Sequence, residues 1–140
     1  KGTATIGKTN VDEIAYATLY FENGIHAETS TAILKNMDDT AIVKGTKGSL
    51  SLTNPWTPGK DGGPYKSSII VNIEGQQEII EVKGIEHLFA FEAEVACRAI
   101  IEKRNEALSP AMTWDDTLGN LTTLDAWRKE IGYKLPQEIS

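Results

Sequence analysis

The feature that most constrains this chain is a helix whose two ends are both written between Met112 and Pro136. Thr113 is placed to accept from the amide three residues on, and Asp116 at that position can reach back. The two form a capping box with a carboxylate shorter than the usual Glu or Gln. Asp115 and Asp116 also sit where a helix N-terminus is positive. Leu118, Leu121, Leu124 and Ile131, with Trp114 and Trp127 nearby, make a broad apolar stripe at helical spacing. Asp125 and Arg128, three apart, are spaced for a local ion pair. Arg128 and Lys129 fall in the last turns, Gly132 supplies a left-handed stop, and Pro136 prevents the helix from resuming. Such a helix is marginal alone in water, so a layer upstream has to cover its stripe.

That layer reads as sheet. Residues 1–10 are polar, rich in Gly and Thr and without periodicity, and are expected to be a lead-in or tail. From Val11 the pattern alternates, with Ala15, Ala17, Leu19 and Phe21 on one side and Ile14, Tyr16, Thr18 and Tyr20 on the other. Glu22-Asn23-Gly24 marks a hairpin turn into a second strand, from Ile25 to about Leu34. After a polar break at 36–39, Ala41-Ile42-Val43 opens a third strand, and Gly45 to Gly48 connects tightly into a fourth, Ser49–Leu52. From Asn54 to about Lys66 the chain carries three prolines and three glycines, a composition that resists regular structure. Two further strands, from Ser67 and from Gln77, meet in a hairpin at Gly75.

At about Glu86 the period becomes helical, with Phe89, Ala93, Ala96, Cys97, Ile100 and Ile101 sharing a side. The expectation is an α+β fold: an open, mostly antiparallel sheet of about six strands, with two C-terminal helices covering one face. The other face then needs water or a partner. Ile14, Tyr16, Thr18 and Tyr20 are the residues expected there, because Tyr suits contacts that are partly apolar and partly wet; the alternative is the inversion, with these residues under the helices and Ala17, Leu19 and Phe21 facing out. A second copy meeting this face would make an isologous, twofold homo-oligomer.

The chain has 140 residues, the size of one domain, enough to bury roughly 68–70% of its unfolded surface. Its net charge of −6 offers no basic stripe for nucleic acid or for anionic lipid. No run is apolar enough to span a bilayer and no signal peptide opens the chain, although Lys1 stands where a Met would be expected. The single cysteine, Cys97, excludes an internal disulfide and points to a reducing, cytoplasmic setting. In its apolar helical pattern it reads as a buried structural thiol.

No self-contained active site emerges. His26 lies in a strand and His87 at a helix start, without ligand-spaced partners, so no metal site is expected. Glu92 and Glu94 face different sides of their helix, and the cap accounts for Asp115 and Asp116. Gly45-Thr46-Lys47-Gly48 leads into a strand and is no phosphate loop. Trp56 and Tyr65, flanking the Pro/Gly stretch, either line a ligand pocket or pin the loop to the sheet.

Four pieces in order carry a resemblance: Leu19 to Gly24 followed by a Ser/Thr strand; Ile42 to Leu50; Phe91-Glu92-Ala93-Glu94; and Met112-Thr113 through Leu124 to Arg128 with Gly132-Tyr133. Together they resemble the C-terminal domain of the glucose–fructose oxidoreductase / inositol dehydrogenase / rhizopine-catabolism (Gfo/Idh/MocA) family. The final segment is most similar to the dihydrodiol-dehydrogenase-like branch. The resemblance implies a parent enzyme, an NAD- or NADP-dependent oxidoreductase of a sugar, polyol or related alcohol. In such an enzyme residues 11–140 would be the substrate and oligomerisation domain, partnered by an N-terminal Rossmann domain not contained in this sequence. The family's Gly-rich dinucleotide fingerprint, Glu-Lys-Pro segment and Asp-x-x-x-His helix have no counterpart here. No catalytic or cofactor-binding residue is therefore carried over, and these 140 residues alone are expected to bind no NAD(P) and to be inactive. The alternative is a free-standing α+β ligand- or protein-binding module without catalysis.

Overall fold

The computed structural model describes residues 1–58, 65–84 and 86–139. Among them the order is β1 (Gly2–Ile6), β2 (Asp12–Tyr20), β3 (His26–Ala32), β4 (Thr40–Gly45), β5 (Gly48–Thr53), β6 (Tyr65–Ile73), β7 (Gln76–Gly84), α1 (Leu88–Ile101) and α2 (Trp114–Glu130), closed by a 3-10 turn at Pro136–Glu138. Strands followed by helices make the α+β fold that the pattern predicts. The strands form two antiparallel sheets, β1-β2-β3 and β4-β5-β6-β7, where the pattern predicts one sheet of about six. Residues 33–39, which include the polar break at 36–39, contribute no strand, and β3 and β4 are not paired. Contacts divide the chain into two compact units, Lys1–Met37 with Thr113–Ser140, and Asp38–Met112.

In the first unit, residues 2–6 form β1 and are not a tail. Gly2 lies across from Ala17 and Ala4 across from Ala15, and directly opposed residues share a face. This face is where α2 lies: a Cβ built on Gly2 would stand 2.7 Å from Trp127 Cδ1 and 3.2 Å from Ile131 Cγ2. Ala15 and Ala17 are the buried hydrophobic residues among those described, so the floor beneath the helix is made of small side chains. The contact is confined to one end of α2. Exposure falls from 63% at Leu118 to 46% at Leu124, while Trp127 and Ile131 are half-buried. The expected cover over the whole stripe is thus present, within this unit, only at its C-terminal end. Half-burial of an indole there contributes roughly 2–3 kcal/mol.

The β2–β3 hairpin is closed by Glu22-Asn23-Gly24, with Gly24 at φ +75° and the Phe21 amide donating to Ile25 O at 2.9 Å. Left-handed backbone is what Gly supplies without a Cβ penalty. β3 ends at Ala32, two residues short of the expected Leu34.

The second unit holds the four-stranded sheet and α1. Its register separates two faces. Ala41, Val43, Leu50, Leu52, Ile69, Val71, Ile73, Ile80 and Val82 fall on one, while Lys44, Ser49, Ser51, Asn72, Gln77 and Glu81 fall on the other with Ile42, Ile70 and Ile79. Glu74 and Gly75, both at positive φ, make the two-residue turn of the β6–β7 hairpin. Gly48 is required by close approach: a Cβ there would stand 1.9 Å from the Asn72 carbonyl oxygen of β6. α1 carries Glu92, Glu94 and Arg98 among its apolar residues, and none of its residues is fully covered. Its half-buried residues include Leu88, Val95 and Ala99, whereas Phe89, Ile100 and Ile101 are exposed, against the expected sharing of a buried side. Cys97 is exposed too, which corrects its reading as a buried thiol. The Pro/Gly stretch read as irregular includes residues 59–64, which lie outside the described residues; β6 begins at Tyr65.

Both ends of α2 are built as the sequence predicts. The Asp116 amide donates to Thr113 Oγ1 at 3.2 Å, and the Thr113 amide donates to Asp116 Oδ2 at 3.0 Å. The Thr113 hydroxyl also donates to that carboxylate, at 2.7 Å. This hydroxyl bond, then the amide bond, hold the Asp116 carboxyl below its ordinary value. At the other end Gly132 takes φ +69° and the Tyr133 amide returns to Arg128 O at 3.0 Å.

Two outcomes follow. Gly48→Ala should destabilise the protein by about 1–3 kcal/mol, since backbone and not a flexible side chain must yield, and urea denaturation would read it. Thr113→Ala should cost about 0.5–2 kcal/mol near neutral pH by the same measurement. Because the Asp116 pKa is depressed on folding, the stabilisation it adds is present above the ordinary aspartate range and lost as pH falls through the folded value. The difference between wild type and variant should therefore narrow in acid.

Candidate functional site

On β2 the side chains alternate, so the residues between Ala15, Ala17 and Leu19 face away from α2. Ile14, Tyr16, Thr18 and Tyr20 occupy this outer face, and the register surrounds them with small or polar neighbours. Thr5 and Ala32 flank Ile14, Thr3 and Ser30 flank Tyr16, Glu28 lies across from Thr18, and His26 across from Tyr20. Tyr16 is 46% and Tyr20 66% exposed, while Ile14 and Thr18 are half-buried. Four residues of strand separate the two phenols by roughly 13 Å. The face thus carries two rings, a row of hydroxyls and a few ionisable groups, Asp12, Glu28 and His26. It can take an apolar surface while its hydroxyls stay paired or wet.

In the second unit Trp56 follows a left-handed Asn54, at φ +47°, whose amide donates to Asp39 O at 2.8 Å. Thr57 Oγ1 donates to Asn54 Oδ1 at 3.0 Å and tightens the turn. The Trp56 side chain is 71% exposed, so it does not pin this loop to a sheet. Tyr65 opens β6 across from Gly84, and its side chain lies outside what the structure describes. A pocket shared by these two aromatics would depend on residues 59–64, also outside the described residues.

The histidines take ordinary roles. His87 is the N-cap of α1: its Nδ1 accepts from the Phe89 amide at 3.3 Å, and its ring lies 5.2 Å from that of Phe89. His26 opens β3. Among the described residues no three His, Cys, Asp or Glu side chains gather as a metal site. No described helix is long and apolar enough to cross a membrane.

One recess missed by the sequence reading lies at the end of α2, an open hollow of about 400 Å³ lined by Asp125, Arg128, Lys129, Tyr133, Lys134 and Glu138. Arg128 donates to Asp125 Oδ1 at 2.9 Å, the expected pair, and to Glu138 Oε2 at 2.9 Å. Burial draws its guanidinium down, but Glu138 and Asp125 together outweigh that and hold it above its ordinary value. With both carboxylates in place this cation is already neutralised. The recess was hidden because Glu138 reaches Arg128 only after the chain reverses at Gly132, and no spacing rule covers ten residues with a turn between them.

Comparison with known proteins adds one relation. The chain is 25% identical over 139 residues to the trans-1,2-dihydrobenzene-1,2-diol dehydrogenase of Mus musculus, a match covering 95% of this chain and 39% of that protein. The chain thus spans about two-fifths of the length of the relative it matches and is distantly related to an oxidoreductase. No family model matches the chain, and no solved structure matches it.

Proposed function

We propose that this chain is the substrate and oligomerisation domain of an NAD- or NADP-dependent oxidoreductase acting on a diol, polyol, sugar or related alcohol. The observation that carries the reading is the alignment with a dihydrodiol dehydrogenase, which runs through nearly the whole chain yet through only two-fifths of the relative. A dehydrogenase divides its work between a part that holds the dinucleotide and a part that holds and orients the alcohol. The present residues suit the second part. They contain no Gly-rich phosphate-binding turn after a strand, and their polar groups serve caps, turns and local ion pairs. Trp56, with its exposed indole, is the residue we assign to a substrate-pocket wall, together with Tyr65 on the other flank of the Pro/Gly stretch at the start of β6. The chemistry itself, hydride transfer to a nicotinamide, would use a Rossmann domain and catalytic residues supplied by the rest of the enzyme.

The outer face of β1-β2-β3 supports the oligomeric half of the proposal. Tyr16 and Tyr20 stand out from a sheet face that α2 does not cover within its unit. Paired twofold, such a face places each phenol against the hydroxyl-bearing strands of its mate.

The direct test is to supply the protein carrying this chain with NAD+ or NADP+ and a panel of diols, polyols and sugars. Formation of reduced nicotinamide is expected with at least one alcohol. No turnover with any of them, together with a specific non-nicotinamide ligand, would overturn the enzyme reading in favour of a binding module. Separately, Tyr16→Asp should weaken self-association by on the order of tenfold or more, read as a shift toward monomer in light scattering across a dilution series. An unchanged distribution would remove the face from the contact.

A further inference from the structure

The residues beyond Gly132 are tied to α2 first by the Tyr133 amide and, farther along, by one oxygen atom of Glu138. Glu138 Oε2 accepts from Arg128 Nη1 at 2.9 Å and from the Leu135 amide at 2.8 Å. The same atom is therefore the anion of an ion pair and the cap of the 3-10 turn at Pro136–Glu138. Arg128 is held in turn by Asp125 one helical turn earlier, at 2.9 Å, and its side chain is only 24% exposed. Other backbone ties along the return are short in sequence: the Tyr133 amide to Arg128 O and the Glu138 amide to Leu135 O. Tyr133 and Leu135 are half-buried, whereas Ile139, past the turn, is 58% exposed, so apolar burial fades along the return. The charged and titratable groups that line the recess with Glu138 are Asp125, Arg128 and Lys129 from α2, and Tyr133 and Lys134 from the return itself.

We propose that residues 133–139 form a strap that closes the recess at the end of α2, and that Glu138 is its fastening. The strap opens as a unit when the pair with Arg128 is broken, while α2 stays in place. Two features separate the strap from the helix. Gly132 breaks the ladder between them by its left-handed backbone. The last turns of α2 have their own anchor, because Trp127 and Ile131 pack against Gly2 of β1 on the sheet. Losing Glu138 removes the ion pair to Arg128 and the cap on the Leu135 amide, and leaves both contacts to the sheet in place. Arg, and not Lys, is needed at 128, since a planar fork can serve two carboxylates at once and an ammonium holds them less specifically.

Hydrogen exchange resolved by residue, on the protein carrying this chain, tests this. Glu138→Ala should speed exchange at Leu135 and Glu138 by roughly 3- to 20-fold, combining a lost cap and a lost exposed ion pair, while amides 127–131 keep their rates. Glu138→Gln keeps an acceptor without the charge and should fall between wild type and Glu138→Ala. Arg128→Lys should speed the same strap amides with Glu138 intact. Unchanged strap exchange in Glu138→Ala and Arg128→Lys would overturn the proposal. So would equal acceleration at 127–131, because strap and helix end would then move as one body.

Discussion

The first unit depends on how closely an indole can approach a sheet. Trp127 reaches β1 because Gly2 has no side chain, and the neighbouring positions on that face are Ala4, Ala15 and Ala17. Larger residues there would hold the helix away and remove much of its contact, since dispersion falls off steeply with a gap of even an ångström. The arrangement has a cost. Trp127 Nε1 is buried without a hydrogen-bond partner among the described residues, and an unpaired donor offsets part of what the ring gains. The packing holds because a large aromatic area meets a smooth floor, with Ile131 extending the contact by one turn.

The same floor assigns the two faces of the sheet. Alternation along β2 divides Ala15, Ala17 and Leu19 from Ile14, Tyr16, Thr18 and Tyr20, but alternation alone does not say which set lies beneath a helix. The small residues of β1 decide it, because only they admit Trp127. The tyrosines are left outside, and the proposed contact surface is in this sense a by-product of where the glycine and alanines are. The second unit is less sharply divided: nine aliphatic residues share one side of β4-β5-β6-β7 with Gln76 and Glu78, and Ser49, Ser51, Asn72 and Gln77 share the other with Ile42, Ile70 and Ile79.

What was legible in the sequence was local. Thr113 with Asp116, Asp125 with Arg128, Gly132, and the turns at Asn23-Gly24 and Gly75 all depend on spacings of a few residues, and each is found as read. β1 was illegible because Gly-Thr-Ala-Thr has no hydrophobic period to detect, although its smallness is what makes it useful. The division into two sheets was hidden for another reason: hairpin signals specify neighbours but not whether one hairpin pairs with the next. Cys97 was misplaced because an apolar stripe at helical spacing marks a side of α1 without saying how much of that side is covered. Of the candidate site residues, the strand pattern placed Tyr16 and Tyr20 together on one face. Nothing in the spacing announced the partnership of Arg128 with Glu138.

The first unit is assembled from two stretches of chain, with the whole of the second unit between them. This has a consequence for synthesis. On the ribosome β1, β2 and β3 can pair by hairpins as they emerge, but the helix that covers Ala15 and Ala17 is encoded after residue 112. At roughly 5–20 residues per second, the small-residue face waits for many seconds with no indole to meet it, while residues 38–112 emerge and pair among themselves. Contact between Gly2 and Trp127 then closes a long loop, a slow and non-local step. A floor of glycine and alanine is well suited to that delay, because it exposes far less adhesive surface to the nascent chain than leucine or phenylalanine would.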